Sequence, residues 1–205
     1  MARRSKREAL ATRASILDAA EWCFRTQGVS ATSLAQIAAR AQCSRGAIYW
    51  HFAEPLDILR GVLARGQPPL LPILETVADA PPPLLPTLQH NLLQCLRTID
   101  QNPHMRSVLE IIVYRCDFAG DRAPILDTWR ADLERILGLL RRILERAQQA
   151  GELRHGLNAA GCASLIGFAL LGVLDCALLA AQPSSLEQAA RAPLDTAFAS
   201  LAAQP

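Results

Sequence analysis

The spacing of apolar residues along the chain predicts a protein made of helices. Between residues 7 and 27, Ile16, Ala20 and Phe24 recur every four positions, which places them on one face of a helix. β-Branched residues are few and Gly-rich hairpin signals are missing, so the pattern predicts an all-α fold. Further helices are predicted from Pro55 and at about 84–101, 103–118, 123–151, 157–182 and 184–203.

Two short predicted helices follow the first long one. Ser33 is a good N-cap, and Gln36 three residues later completes a capping box at the start of a helix ending near Ala41. Gln42-Cys43-Ser44 reads as a turn, and Ser44 can cap a third helix over 45–52. Two short helices joined by a tight turn predict a helix-turn-helix.

The third helix, in the stretch CSRGAIYWHF, carries two kinds of side chain. Ile48 and Phe52 lie one turn apart and are expected in the core. Arg can fork to guanine, Tyr and His can donate to phosphate, and Gly lets the backbone come close. The residues with this chemistry lie outside the core face and predict a DNA-recognition surface: Arg45, Gly46, Tyr49, Trp50 and His51.

Charge is distributed unevenly along the 205 residues. The net charge is +2, but residues 1–60 hold nine Arg and Lys against five Asp and Glu. The rest of the chain is faintly acidic, so a polyanion partner is expected at one end only.

Cysteine spacing and missing motifs narrow the functional class. None of the six Cys forms a CxxC pair, no His cluster suggests a metal, and no cofactor is expected. A cytoplasmic protein with reduced thiols is favoured. An enzyme or carrier is disfavoured because GxSxG, HExxH, P-loop and GxGxxG motifs are missing. A redox-responsive regulator signalling through Cys23, Cys43 or Cys116 stays open as an alternative.

One apolar run, residues 157–181, is long enough to cross a bilayer. Asp175 lies within the run, and flanking Lys and Arg anchors are missing, so a buried helix at a dimer interface is favoured over a membrane span. Small residues recur every four positions at Ala159, Ala163 and Gly167, which would permit close helix–helix approach.

Three segments of the N-terminal region, ILDAAEWCF, GVSATSLAQIA and SRGAIYWHF, closely resemble the DNA-binding domain of the TetR family, in its AcrR-type branch. The likeness continues in LEIIVYRCDFAG at 109–120 and GVLDCALLAAQPSSLE at 172–187. It implies an all-helical homodimer of nine helices, with a DNA-binding domain at 1–54 and a ligand-binding and dimerisation domain at 55–205. It also implies a repressor of a multidrug efflux operon that leaves operator DNA when a small hydrophobic, often cationic, inducer binds.

The resemblance also implies site residues. In the DNA-binding domain, Arg45 would touch bases, while Ser33, Tyr49 and His51 would hold phosphates with Thr32 near them. Gly46 would allow close approach, Trp50 stands between base contact and packing, and Ser44 completes the set of DNA-binding residues. Candidates for the ligand pocket are Gln67, Leu109, Glu110, Val113, Cys116, Trp129, Phe168, Leu171 and Asp175. For Glu110 the alternative is an ion pair with Arg106, and for Asp175 a hydrogen-bonded position at the dimer interface.

The sequence departs from the branch pattern in three places. Gln42 stands where Gly is usual in the turn, and Ala53-Glu54-Pro55 replaces a Lys-rich tripeptide that grips phosphate. Prolines 68, 69 and 72 are expected to break a long helix that links the two domains. The stretch ADAPPPLLP at 78–86 is expected to form an exposed loop.

Overall fold

The computed structural model describes residues 6–118, 120–180 and 184–203, and within them it is almost entirely helical. One isolated β-bridge joins Leu153 to Ala202. Ten α-helices are described: α1 Lys6–Gln27, α2 Leu34–Arg40, α3 Arg45–His51, α4 Pro55–Arg65, α5 Leu70–Asp79, α6 Leu84–Gln101, α7 Pro103–Glu110, α8 Ala123–Gln149, α9 Ala159–Leu179 and α10 Leu186–Leu201. A π-helical turn, Ile111–Arg115, follows α7, and a 3₁₀ turn, Gly120–Arg122, precedes α8.

By packing, the chain divides into two compact units. The first joins Met1–Gln67 to Pro103–Leu126, and the second joins Pro68–Asn102 to Asp127–Pro205. In the first unit, α4 and α7 therefore pack with the three N-terminal helices. The predicted boundary after residue 54 separates a DNA-binding domain from a ligand-binding and dimerisation domain. It divides the chain by function and not by packing, and it stays a prediction.

The core of the first unit is built from the stripes that the sequence predicts. α1 crosses both short helices and α4, and its apolar face is buried against them. The side chains buried here include Ile16, Leu17, Ala20, Phe24, Ile37, Ile48, Phe52, Leu59 and Val62. Burying such aliphatic and aromatic groups stabilises the three-helix unit and fixes the faces of α2 and α3 that remain outside.

A charged cluster joins α1 to α4 and α7. Arg65 Nη2 lies 2.6 Å from Asp18 Oδ1 and 3.3 Å from Glu21 Oε2. His104 Nδ1 lies 2.8 Å from the same Glu21 oxygen, and Glu21 is buried. The next residue, Gly66, approaches the backbone carbonyl of His104 so closely that a Cβ would overlap it. Three helices therefore meet at one polar, closely packed junction.

The predicted proline break is confirmed. α4 ends at Arg65 and α5 begins at Leu70, after Pro68 and Pro69. The resemblance implies nine helices, and ten are described because this long segment is divided. The exposed loop predicted at 78–86 is wrong at both ends, because Ala78 is buried in α5, and Leu84 and Leu85 are buried in the first turn of α6. The start of α6 confirms the helix predicted at about 84–101.

Two carboxylates cap the N-termini of helices in the second unit. Glu152 accepts hydrogen bonds from the backbone N–H of Leu84 at 2.7 Å and of Leu85 at 2.8 Å, at the start of α6. Asp100 accepts from the backbone N–H of Leu186 at 2.9 Å, at the start of α10. Both acids satisfy donors that a helix leaves unpaired and lie at the positive end of its dipole.

A bidentate ion pair ties α6 to α10 in the second unit. The hydrogen bonds from Arg97 to Glu187, with Arg191 alongside, lower the pKa of Glu187 to about 2. A lowered pKa means that the carboxylate stays ionised above that value. The ion pair between Arg97 and Glu187 therefore persists at neutral pH and is lost only in strong acid.

Helix α9 is apolar on both of its faces. It is long and apolar enough to span a membrane by length and composition alone, a test that core helices of soluble proteins also pass. Ala159, Ala163 and Gly167 form its buried face, and a Cβ at Gly167 would lie 2.8 Å from Leu137 Cδ2 of α8. The small residues thus serve packing within the chain. Its other face is exposed in the single chain, where Phe168 is 66% exposed, so burial of α9 at a dimer interface stays a prediction.

Candidate nucleic-acid interface

The N-terminus of α2 is closed by the capping box that the sequence predicts. Ser33 Oγ accepts the Gln36 N–H at 3.3 Å, and Gln36 Oε1 accepts the Ser33 N–H at 2.7 Å. Thr32 Oγ1 donates to the Gly28 carbonyl at 2.7 Å. Ser33 is exposed and Thr32 is half-buried, so both hydroxyls lie at the surface end of α2.

The turn between α2 and α3 contains an unusual backbone conformation. Gln42 has φ of +53°, which is the left-handed region that Gly adopts most readily. Ser44 then caps α3, accepting the Ala47 N–H at 3.1 Å. The branch pattern usually has Gly at this position, and the structure keeps the left-handed conformation with Gln42 in its place.

Replacing Gln42 with Gly is expected to stabilise the protein. Relief of the left-handed strain contributes about 1 kcal/mol, and the greater freedom of Gly in the unfolded chain offsets part of it, leaving about 0.5 kcal/mol. Urea unfolding measures the change. As a control, Gln94→Gly in the exposed middle of α6 should destabilise by about 1 kcal/mol. Destabilisation of similar size in both variants would contradict strain at Gln42.

Helix α3 separates a core face from an exposed face. Ile48 is 1% exposed and Phe52 is buried, whereas Tyr49 is 52% exposed and Trp50 is 72% exposed. Arg45 and Gly46 are also exposed, and His51 is half-buried. A helix that leaves two large rings and an Arg in solvent exposes side chains of the types that contact bases and phosphates in protein–DNA complexes.

The two ends of α3 differ in the charged residues that lie near them. Arg45, at its start, makes no ion pair with any residue between 6 and 118. At its end, the backbone N–H of Glu54 donates to the Asp57 carboxylate at 3.1 Å. Arg13 of α1 lies over the Phe52 ring, 5.1 Å from its centroid. Sequence reasoning did not single out Arg13, because only folding brings α1 beside the end of α3.

The ligand candidates divide between the two units. Five of them are in the first: Gln67 and Val113 are exposed, Leu109 is buried, Cys116 is half-buried, and Glu110 is paired. Glu110 Oε2 lies 2.8 Å from Arg25 Nε of α1, and its other oxygen lies 3.6 Å from Arg106 Nε. The ion pair with Arg106 was the predicted alternative. Arg25, 85 residues away in the chain, was missed.

The other four candidates are in the second unit. Trp129 of α8 is half-buried, and Phe168, Leu171 and Asp175 are exposed on α9. Asp175 shares the exposed face of α9 with Phe168. Its position therefore favours the alternative of an interface residue over a pocket residue, and both roles stay predictions.

A redox centre needs a reactive thiol, and a metal centre needs several ligand side chains close together. Burial raises the pKa of the Cys23, Cys43 and Cys116 thiols, which disfavours the reactive thiolate. The redox alternative therefore finds no support. Across the described ranges, no three His, Cys, Asp or Glu side chains are grouped so that they could hold a metal ion.

Two family models match the chain, one in its N-terminal part and one in its C-terminal part. Residues 16–54 match the bacterial regulatory proteins of the tetR family, and residues 82–202 match the C-terminal region of MAATS-type transcriptional repressors. The chain belongs to the TetR family of transcriptional repressors. The matched N-terminal segment contains α2, the turn and α3, so the exposed surface of α3 belongs to the DNA-binding part of a TetR-family protein.

Known TetR-family proteins are similar over most of this repressor. BepR of Brucella suis, a transcriptional repressor, is 34% identical over 166 residues, covering 80% of this chain and 79% of BepR. NalD of Pseudomonas aeruginosa, the secondary repressor of the MexAB-OprM multidrug efflux pump, superposes with a TM-score of 0.81 at 25% identity, covering 96% and 98% of the two chains. SmeT of Stenotrophomonas maltophilia, repressor of the SmeDEF pump, superposes in its triclosan complex with a TM-score of 0.77 at 30% identity, covering 94% and 92%.

Proposed function

We propose that this TetR-family repressor is a cytoplasmic homodimer that controls a multidrug efflux operon and leaves its operator when a small hydrophobic ligand binds. The exposed face of α3 carries the proposal, because Arg45, Tyr49 and Trp50 are free to meet DNA. In this proposal Arg45 contacts bases, and Ser33, Tyr49 and His51 hold phosphates with Thr32 beside them. Gly46 lets the backbone come close, and Ser44 and Trp50 complete the contact surface.

Efflux control is supported by the solved relatives. NalD and SmeT both repress multidrug efflux pumps, and SmeT binds triclosan. A neutral, chlorinated aromatic ligand needs an apolar pocket and no countercharge. The engagement of Glu110 by Arg25 agrees with this, since a paired carboxylate is a weaker partner for a cationic drug. The proposed inducer class is therefore hydrophobic, and a cation is not required.

The test is binding of the purified protein to the DNA just upstream of its own gene. We expect tight, sequence-specific binding that weakens steeply with salt, and release by triclosan or by another member of a panel of hydrophobic compounds. Specific binding that no compound abolishes would refute ligand release but not repression. Binding that does not distinguish this fragment from random DNA would refute control of the neighbouring gene.

The exposed face of α9 supports the homodimer. Residues at helical spacing lie along it and leave apolar side chains in solvent: Gly161, Leu165, Phe168, Gly172, Asp175 and Leu179. An apolar face of this length on a soluble protein indicates a partner surface. A second copy fits it, since two such helices approach closely where Gly161 and Gly172 lack side chains.

Replacing Phe168 with Arg is expected to produce a monomer that binds operator DNA at least tenfold more weakly. A cation in the middle of an apolar interface is left unpaired, and each monomer reaches only half of a two-part operator. Sedimentation and DNA titration measure both effects. Leu133→Arg, on the exposed side of α8, is the control and should stay dimeric. A dimeric Phe168→Arg protein would exclude this face as the interface.

A further inference from the structure

The loop between α1 and α2 is held by a segment from the middle of the chain. The backbone N–H of Val29 donates to the carbonyl of Arg115, the last residue of the π-helical turn, at 2.8 Å. The Ser30 hydroxyl donates to the Asp117 carboxylate. Arg122 then closes the group, since its Nη2 lies 2.9 Å from Ser30 Oγ and 2.7 Å from Asp117 Oδ1. We name Ser30, Asp117 and Arg122 the loop clamp.

Arg122 also fixes the backbone of its own segment. Its Nε donates to the Asp117 carbonyl at 2.7 Å, so one guanidinium binds the backbone, a carboxylate and a hydroxyl. The Ser30 hydrogen bond is the largest cause that lowers the pKa of Asp117, and Arg122 adds to it. Asp117 therefore stays ionised at neutral pH, which keeps it a strong acceptor.

Hydrogen bonds within the loop connect it to the start of α2. Thr32 donates from its hydroxyl to the Gly28 carbonyl at 2.7 Å and from its N–H to the Val29 carbonyl at 3.2 Å. Ser33, the N-cap of α2, follows directly. Residues 28–33 are thus linked by hydrogen bonds from the clamp to the helix that begins the helix-turn-helix, and a shift of Ser30 changes where Thr32 and Ser33 lie.

The loop clamp adds little to the free energy of unfolding. Its effect on DNA binding can therefore be measured apart from any effect on stability. The Asp117 side chain is 56% exposed, and exposed ion pairs contribute little to the free energy of unfolding. Arg115–Arg122 lies between α7 and α8, and α8 begins at Ala123. The residues that hold the loop therefore lie, along the chain, after α7 and before α8.

We propose that Ser30, Asp117 and Arg122 are positioning residues for DNA binding. They hold the α1–α2 loop so that Thr32 and Ser33 meet the phosphate backbone. The proposal rests on the DNA-binding role given above. It concerns residues that touch no base and, in the described structure, belong to no core.

Asp117→Ala is expected to weaken operator binding roughly 5- to 10-fold, the size of a typical coupling between sites. The thermal unfolding midpoint should move by no more than about 2 °C, in line with an exposed pair. Ser30→Ala should weaken binding similarly, and the double variant should cost no more than either single one. The matched control is Asp127→Ala, which breaks another exposed carboxylate–Arg pair, with Arg130 in α8.

Each outcome decides the proposal. Unchanged operator affinity in Asp117→Ala would overturn it, as would a loss of affinity that follows a large fall in the unfolding midpoint. If the native protein binds no specific DNA, the proposed function fails, and hydrogen exchange then tests the clamp alone. Amides of residues 28–34 should exchange faster in Asp117→Ala than in the native chain or in Asp127→Ala. Equal exchange would overturn the clamp independently of DNA.

Discussion

Replacing Arg45 with Ala is expected to weaken specific operator binding by about 1–3 kcal/mol per half-site and to relax sequence preference. Arg45 opens α3 at an exposed position, and no carboxylate of residues 6–118 competes for its guanidinium. A guanidinium that forks to guanine O6 and N7 distinguishes one base pair from the others. Titration of operator and random DNA at fixed salt measures the ratio of the two affinities.

The control for Arg45 is Arg60→Ala. Arg60 is an exposed Arg of α4 that is paired with Asp57 at 3.1 Å, and it has no proposed role in reading DNA. It should leave the affinity ratio unchanged. A ratio that is the same in Arg45→Ala as in the native protein would show that Arg45 reads no base, whatever happens to the absolute affinity.

Replacing Gly66 with Ala is expected to destabilise the protein by about 3 kcal/mol. The new methyl group would overlap the His104 carbonyl and the Val108 side chain, and a backbone carbonyl in a helix cannot turn away. α4 and α7 would have to separate, at the upper end of the cost of overpacking. Separation would also strain the contacts of Arg65 with Glu21 and His104.

Urea unfolding of Gly66→Ala and Gly138→Ala provides the comparison. Gly138 lies in the middle of α8 with no atom near its missing Cβ, so Ala there should stabilise the protein by about 1 kcal/mol. The two substitutions are chemically identical and opposite in expected sign. A stable Gly66→Ala protein would mean that the junction between α4 and α7 tolerates movement.

Local features were predictable from the sequence because they depend on neighbours in the chain. The capping box of Ser33 and Gln36 and the cap at Ser44 follow from residue types at fixed spacing. The break between α4 and α5 follows from prolines that lack an N–H. The core positions of Ile48 and Phe52 follow from the helical period, and all of these are confirmed.

The limit of such reasoning is visible at residues 84–86. The four prolines of ADAPPPLLP predict an exposed loop over 78–86, yet Leu84 and Leu85 are buried. The start of α6 is capped by the carboxylate of Glu152, which lies 68 residues away in the chain. Local composition does not contain that partner.

The sequence by itself determined an all-helical TetR-family repressor, the helix-turn-helix and the residues that face outward from α3, because these depend on periodicity, capping and motif. Only the tertiary structure shows where residues 103–126 pack. They pack with the N-terminal helices, where Glu110 meets Arg25 and Asp117 meets Ser30. It also decided that Gly167 of α9 lies against Leu137 of α8. Ion pairs and close approaches between distant segments depend on how helices are placed in space, and no local pattern encodes that placement.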